Sequence, residues 1–124
     1  MMQGNVVMLH LLLRVPIGAQ SFTEAVGEFV IDTGFTGHLM MPTEEVEILK
    51  LPFVEDAIHI LADGQNVLLK KYTAEIQWDG QEKAVKVIAG GDRRLLGTRL
   101  LEGYDVLAEF VENGTVRLTP HGSA

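Results

Sequence analysis

The chemistry this chain offers is concentrated in one apolar run that ends in a carboxylate, Phe29-Val30-Ile31-Asp32-Thr33-Gly34. An aspartate in such a setting costs several kcal/mol unless it is paired or hydrogen-bonded. Gly34 lets the backbone turn sharply after it and approach a ligand. Asp, Thr and Gly all favour turns, so an ordinary turn is the bland alternative. The tripeptide arises by chance in roughly a few per cent of chains this long, and alone it is weak. Elimination narrows the other possibilities. Cysteine is absent, which excludes a disulfide framework, a thiolate zinc site and a cysteine nucleophile. Neither serine, Ser21 or Ser123, lies in a Gly-x-Ser-x-Gly elbow. His10, His38, His59 and His121 lack paired-ligand spacing, so neither a metal nor another cofactor is expected. Gly90-Gly91 is not followed by Lys-Ser or Lys-Thr, and no G-x-G-x-x-G occurs, which removes the phosphate loops.

The elements that must hold Asp32 follow from patterning. The 124 residues, 47% hydrophobic and 22% charged, suit a single globular domain over 1–124 with its core at about 6–118. A chain of this size buries roughly two-thirds of its unfolded surface. A net charge of −7 without a basic stripe argues against nucleic acid as a partner. Residues 6–15 are apolar but interrupted by His10 and Arg14, with no basic segment before them. That fits neither a signal peptide nor a membrane span, so the expectation is a cytoplasmic protein with no membrane partner.

Strands are expected at 6–15, buried on both faces, at 28–32 and at 38–41, with 16–24 as a connection. Residues 43–51 read as a helix, with Thr43 as cap, Glu44 and Glu45 in the first turn, Val46 and Leu49 facing inward, and Pro52 as stop. Its three glutamates, with Glu47, read as a solvated face. A hairpin over 57–61 and from 67 turns at Ala62-Asp63-Gly64-Gln65. Ala74, Ile76 and Trp78 then alternate with polar residues up to an Asp79-Gly80 turn. Val85 and Val87 continue the sheet, and Leu95-Leu96 is a very short strand. Residues 98–102 form a helical turn capped by Gly103, and strands at 105–111 and 115–118 flank Asn113-Gly114. The fold class is therefore all-β with one or two short helices, a barrel or a sandwich.

Asp-Thr-Gly after an apolar strand is followed, much later, by two apolar residues and a glycine, Leu95-Leu96-Gly97, and then by Leu100-Leu101-Glu102-Gly103-Tyr104-Asp105-Val106. With the hairpin around Asp63-Gly64 between these marks, nearly the whole chain resembles the retropepsin-like aspartic proteases, in particular small single-domain bacterial versions with Asp-Thr-Gly-Phe-Thr-Gly. The resemblance implies a closed β-barrel and an endopeptidase without cofactor. It implies Asp32 as the catalytic carboxylate and Thr33 and Gly34 as its loop. Ala62, Asp63, Gly64 and Gln65 would be the substrate-binding flap, and Leu95, Leu96 and Gly97 the second motif. Because one lobe carries one such aspartate, it also implies a homodimer acting on a peptide or protein substrate, with the end strands 6–9 and 116–118 at the interface. Retroviral members carry an Asp–Arg ion pair where this chain has Thr36 and Thr98, and a small residue where it has Phe35. Both ion-pair partners are thus replaced together, and Arg99 falls outside the pattern. The competing reading is a non-catalytic module that keeps the fold for dimerisation or peptide binding.

Overall fold

The computed structural model describes residues 1–19, 25–61 and 63–122. Its first strands, β1 (Met2–Val7) and β2 (His10–Gly18), form an antiparallel hairpin with Val7 opposite His10. The single strand expected over 6–15 is therefore two, and Met8-Leu9 is the turn between them. Both turn residues are left-handed, φ 50° and 65°. Two consecutive left-handed residues are the two-residue hairpin geometry that Asn-Gly normally supplies. No Gly, Asn or Pro marks the turn, so sequence punctuation could not locate it. Pairing locates it instead: Val6 is fully buried and exchanges hydrogen bonds with Gly114 and Asn113, 2.8 Å each. In β2 the residues Leu13, Val15 and Ile17 are buried while Arg14 is exposed, so one face is covered, not both. The strand also runs through Pro16 to Gly18, the start of the expected connection; residues 20–24 lie outside the described residues.

The chain continues through β3 (Ala25–Ile31), β4 (Leu39–Met41), α1 (Thr43–Leu49), β5 (Phe53–Ile60), β6 (Asn66–Trp78), β7 (Gln81–Ala89), β8 (Leu95–Leu96), α2 (Thr98–Leu101), β9 (Tyr104–Ala108) and β10 (Thr115–Pro120). Helix α1 buries Val46 and Leu49 as its spacing demands, but its cap is Pro42. The Pro42 carbonyl receives the Glu45 and Val46 N–H groups, and Thr43 makes no capping bond. Lys50, at φ 55°, ends the helix before Pro52 is reached. The turn at Asp79-Gly80 is left-handed at both residues, φ 52° and 82°. After α2 the cap is Glu102, and Gly103 is the left-handed residue behind it, φ 84°. Strand β9 stops at Ala108, short of the expected 111, where the Glu109 carbonyl accepts the Val111 N–H in a tight turn.

The ten strands make one sheet in the order β5-β6-β7-β4-β8-β3-β2-β1-β10-β9, with a further β6–β2 pairing through Ile17–Ile76 and Gly18–Glu75. The class is mostly β with two short helices. The pairings run in a circuit from β2 through β3, β8, β4, β7 and β6 back to β2, while β5, β1, β10 and β9 lie outside it. The core includes Ile17, Phe29, Leu39, Ile76, Leu96 and Leu100, each fully buried. Full burial of such a side chain stabilises by roughly 1.5–3 kcal/mol. Val6, Val116 and Leu118 also belong to this core. Within the end strands 6–9 and 116–118 these three side chains pack inside the single chain. Of that set, Met8 and Leu9 are exposed, at 78% and 72%. Among the described residues no helix is long and apolar enough to cross a membrane, which says nothing of a β-barrel.

Candidate active site

Asp32 stands one residue beyond β3, where the sheet changes direction. Strand β8 is inserted between β3, to which it is parallel, and β4, to which it is antiparallel. The Asp32 N–H donates to the Leu96 carbonyl at 2.9 Å, continuing the β3–β8 ladder by one residue. The Phe35 N–H then donates to the Asp32 carbonyl at 3.1 Å, and the Gly34 N–H donates to the Asp32 carboxylate Oδ1 at 2.8 Å. The carboxylate is thus oriented by its own loop while its residue is only half-buried, with Thr33 and Gly34 exposed. Gly34 does not adopt a left-handed φ. What glycine provides here is room, since a Cβ would lie 3.2 Å from Asp32 Oδ1.

The second motif braces this loop from behind. The Gly97 N–H donates to the His38 carbonyl (2.9 Å) and the Thr98 N–H to the Phe35 carbonyl (2.8 Å). A Cβ on Gly97 would collide with the Gly37 carbonyl oxygen and stand 2.6 Å from that of Phe35. Backbone packs on backbone here, so Leu95, Leu96 and Gly97 fix where residues 32–38 run. At the positions of the missing ion pair, Thr98 is tied to the loop through its main chain and Thr36 is exposed. His38 Nδ1 accepts the Lys86 N–H at 3.0 Å. Burial, and then the cations Lys83, Arg99 and Lys86, hold His38 below the ordinary histidine value of 6.5. The neutral ring is the form that can accept, so this corner loses stability as pH falls through and below that value.

A cleft of about 490 Å³ opens beside the carboxylate, lined by Asp32, Thr33, Met40 and Leu95 together with His10 and Arg93. His10 and Arg93 carry no signal in a linear reading. His10 follows a turn that no residue type marks, yet the pairing of Leu12 with Val30, continued two residues, sets it opposite Asp32. Among the described residues no three potential ligands are grouped to hold a metal ion.

The proposed flap is the end of the β5–β6 hairpin. Asp63, Gly64 and Gln65 are exposed at its tip, and Ala62 lies outside the described residues. The tip is closed by Leu61 N–H to Gln65 O (2.8 Å), Gly64 N–H to Leu61 O (2.9 Å) and Gln65 N–H to Asp63 Oδ1 (3.0 Å). Gly64 has φ 85° with open space around it. Asp63, Gly64 and Gln65 do not line the Asp32 cleft, so the structure brings the two motifs together but leaves the flap tip apart from them.

No family model matches the chain, and no curated protein does. Among solved structures it is similar to a retropepsin-like aspartic protease from Rickettsia conorii, with 18% identity over 92% of this chain and 86% of that one and a TM-score of 0.58. At that identity the likeness speaks for the fold alone.

Proposed function

We propose that this chain is one subunit of a dimeric aspartic endopeptidase and that Asp32 is the carboxylate each subunit contributes. The observation that carries the reading is the placement of Asp32. Its carboxylate is oriented by the Gly34 N–H at the mouth of a cleft, in a loop braced by Gly97. One chain supplies one such group, and hydrolysis by this route needs two. In the dimer two copies of Asp32 face each other across a two-fold axis and share one proton, because adjacent like charges cannot both ionise. The ionised member takes a proton from a water held between them, and the protonated member polarises the scissile carbonyl. The intermediate is a tetrahedral diol, which then collapses with protonation of the leaving nitrogen. Thr33 braces the two loops across the axis. Gly34 and the flap backbone at Ala62, Asp63, Gly64 and Gln65 hold an extended peptide by strand-like hydrogen bonds. The pairing circuit through β2 and β6 supports the closed-barrel description of the fold. The test is peptide cleavage by the purified chain and by its Asp32→Asn variant. The non-catalytic reading requires the two to behave alike.

Dimerisation has a second support. The Met8-Leu9 turn lies at the same end of the sheet as Asp32, by the register of β2 with β3. Its two residues are apolar, largely exposed and left-handed. Left-handed backbone costs a non-glycine residue roughly 1–2 kcal/mol; the Met8 N–H is met by Glu112 Oε1 at 2.9 Å, but the two apolar side chains stay exposed in the single chain. A partner subunit that covers both side chains gives the turn a purpose. Replacing the pair together, Met8→Asn with Leu9→Gly, should raise the unfolding temperature of the isolated chain by a few degrees, on the order of 1 kcal/mol. It should also weaken the dimer at least about tenfold. Light scattering across a dilution series reads the second effect; an unweakened dimer would remove this turn from the interface.

The flap makes a separate prediction. Gly64→Val puts a β-branched residue at φ 85° on an exposed tip, a local cost of about 1–2 kcal/mol. Turnover should fall by more than thermal stability does, because the tip packs on little until a peptide lies beneath it. Parallel losses in the two measurements would make the hairpin a purely structural element.

A further inference from the structure

The two adjacent arginines before β8 are used differently. Arg94 is consumed by structure: its Nη2 and Nε bind the Glu45 carboxylate at 2.7 and 2.9 Å, and its Nη1 reaches the Glu28 carbonyl at 3.4 Å. Arg93 forms no ion pair among the described residues. Its Nη1 instead stands 3.0 Å from Nε2 of His10. A guanidinium only donates, so in this contact Nε2 can only accept. Only one of the five guanidinium N–H donors is used by this contact.

Arg93 and His10 sit on the wall shared by two adjoining clefts. One is the cleft that holds Asp32; the other, of about 380 Å³, is lined by Leu12, Pro42 and Glu45 among others. The surroundings make an unpaired cation here unusual. The chain carries a net charge of −7, and Asp32 and Asp92 both line the first cleft. The background field therefore repels an acidic ligand, and only a direct contact with the guanidinium can reverse that at one position. Val30, Ile31, Met40 and Leu95 add apolar surface to the same wall.

We propose that Arg93, steadied by His10, makes the cleft beside Asp32 select a peptide with an acidic side chain at one position and apolar side chains around it. The inference rests on the reading of Asp32 as a peptide-cleaving group, but its test does not. Full-length Asp32→Asn protein is titrated with ten-residue apolar peptides that carry Glu, Gln or Lys at one position at a time. At one position Glu should bind about tenfold more tightly than Gln, the gain expected for a charge-assisted hydrogen bond on a solvent-exposed arginine. The preference should shrink as salt is raised. Adding Arg93→Glu should reverse it in favour of Lys, and adding Arg93→Lys should keep its sign, which separates charge recognition from a packing role. Equal binding of Glu and Gln peptides at every position, binding of none of them, or a preference that survives Arg93→Glu would overturn the proposal. Cleavage of the same peptides by the wild-type chain is read separately. Acid-selective binding without cleavage would sustain the selection and overturn the protease reading. Cleavage at equal rates for Glu and Gln would do the reverse.

Discussion

Asp32→Asn should reduce peptide cleavage by about a thousandfold or more, because it removes the base and the shared proton together in both subunits. The change keeps nearly the same volume. The Gly34 N–H still finds an acceptor in the amide oxygen that replaces Oδ1, so the loop has no reason to unfold. The variant dimer should be at least as stable as the wild type, since two facing carboxylates no longer repel. A peptide analogue with a central hydroxyl in place of the scissile carbonyl should bind the wild type far better than the variant. Cleavage that persists in the variant with an unchanged pH profile would show that another group does the chemistry. An unfolded variant would show that Asp32 is chiefly structural.

The second large effect is expected at Gly97→Ala. The added Cβ meets the carbonyl oxygens of Gly37 and Phe35, the latter at 2.6 Å, and neither can rotate away as a side chain would. The loop of residues 32–38 must move, or the chain must give up stability, and overpacking of this kind costs about 1–3 kcal/mol. A displacement of the loop by about an ångström would lower cleavage by roughly a hundredfold. Gly103→Ala is the control. It meets nothing within 4 Å and carries only the penalty of φ 84°, so it should cost about 1 kcal/mol and leave the specific activity intact. Chemical denaturation and initial rates on both variants check this. Wild-type stability and rate for Gly97→Ala would mean that the second motif does not brace the first.

The parts of this molecule that could be read in one dimension are those governed by neighbours in sequence. Ala74, Ile76 and Trp78 are buried because a strand repeats every two residues. Asp79-Gly80 turns because these residue types tolerate a left-handed backbone. Val46 and Leu49 face inward because of helical spacing. Asp32, and the later Leu95-Leu96-Gly97, were visible as residue types in order. Their contact was not, because it depends on a two-residue strand inserted parallel to β3 and antiparallel to β4.

The same limit explains each correction. Met8 and Leu9 turn only because Val6 is drawn into the core and pinned to Gly114 and Asn113. Val6, Val116 and Leu118 of the end strands join the core, with β10 paired on both sides, by β1 and by β9, within one chain. Arg94 meets Glu45, and Arg93 meets His10, across long sequence separations that no local period encodes. Sequence alone determined the candidate carboxylate, the glycines beside it and the all-β character, since these follow from residue chemistry and short-range sterics. The three-dimensional fold decided which backbone braces that carboxylate and which cation shares its cleft. Those contacts join distant segments that are held in place by the apolar core packed around Phe29 and Leu96.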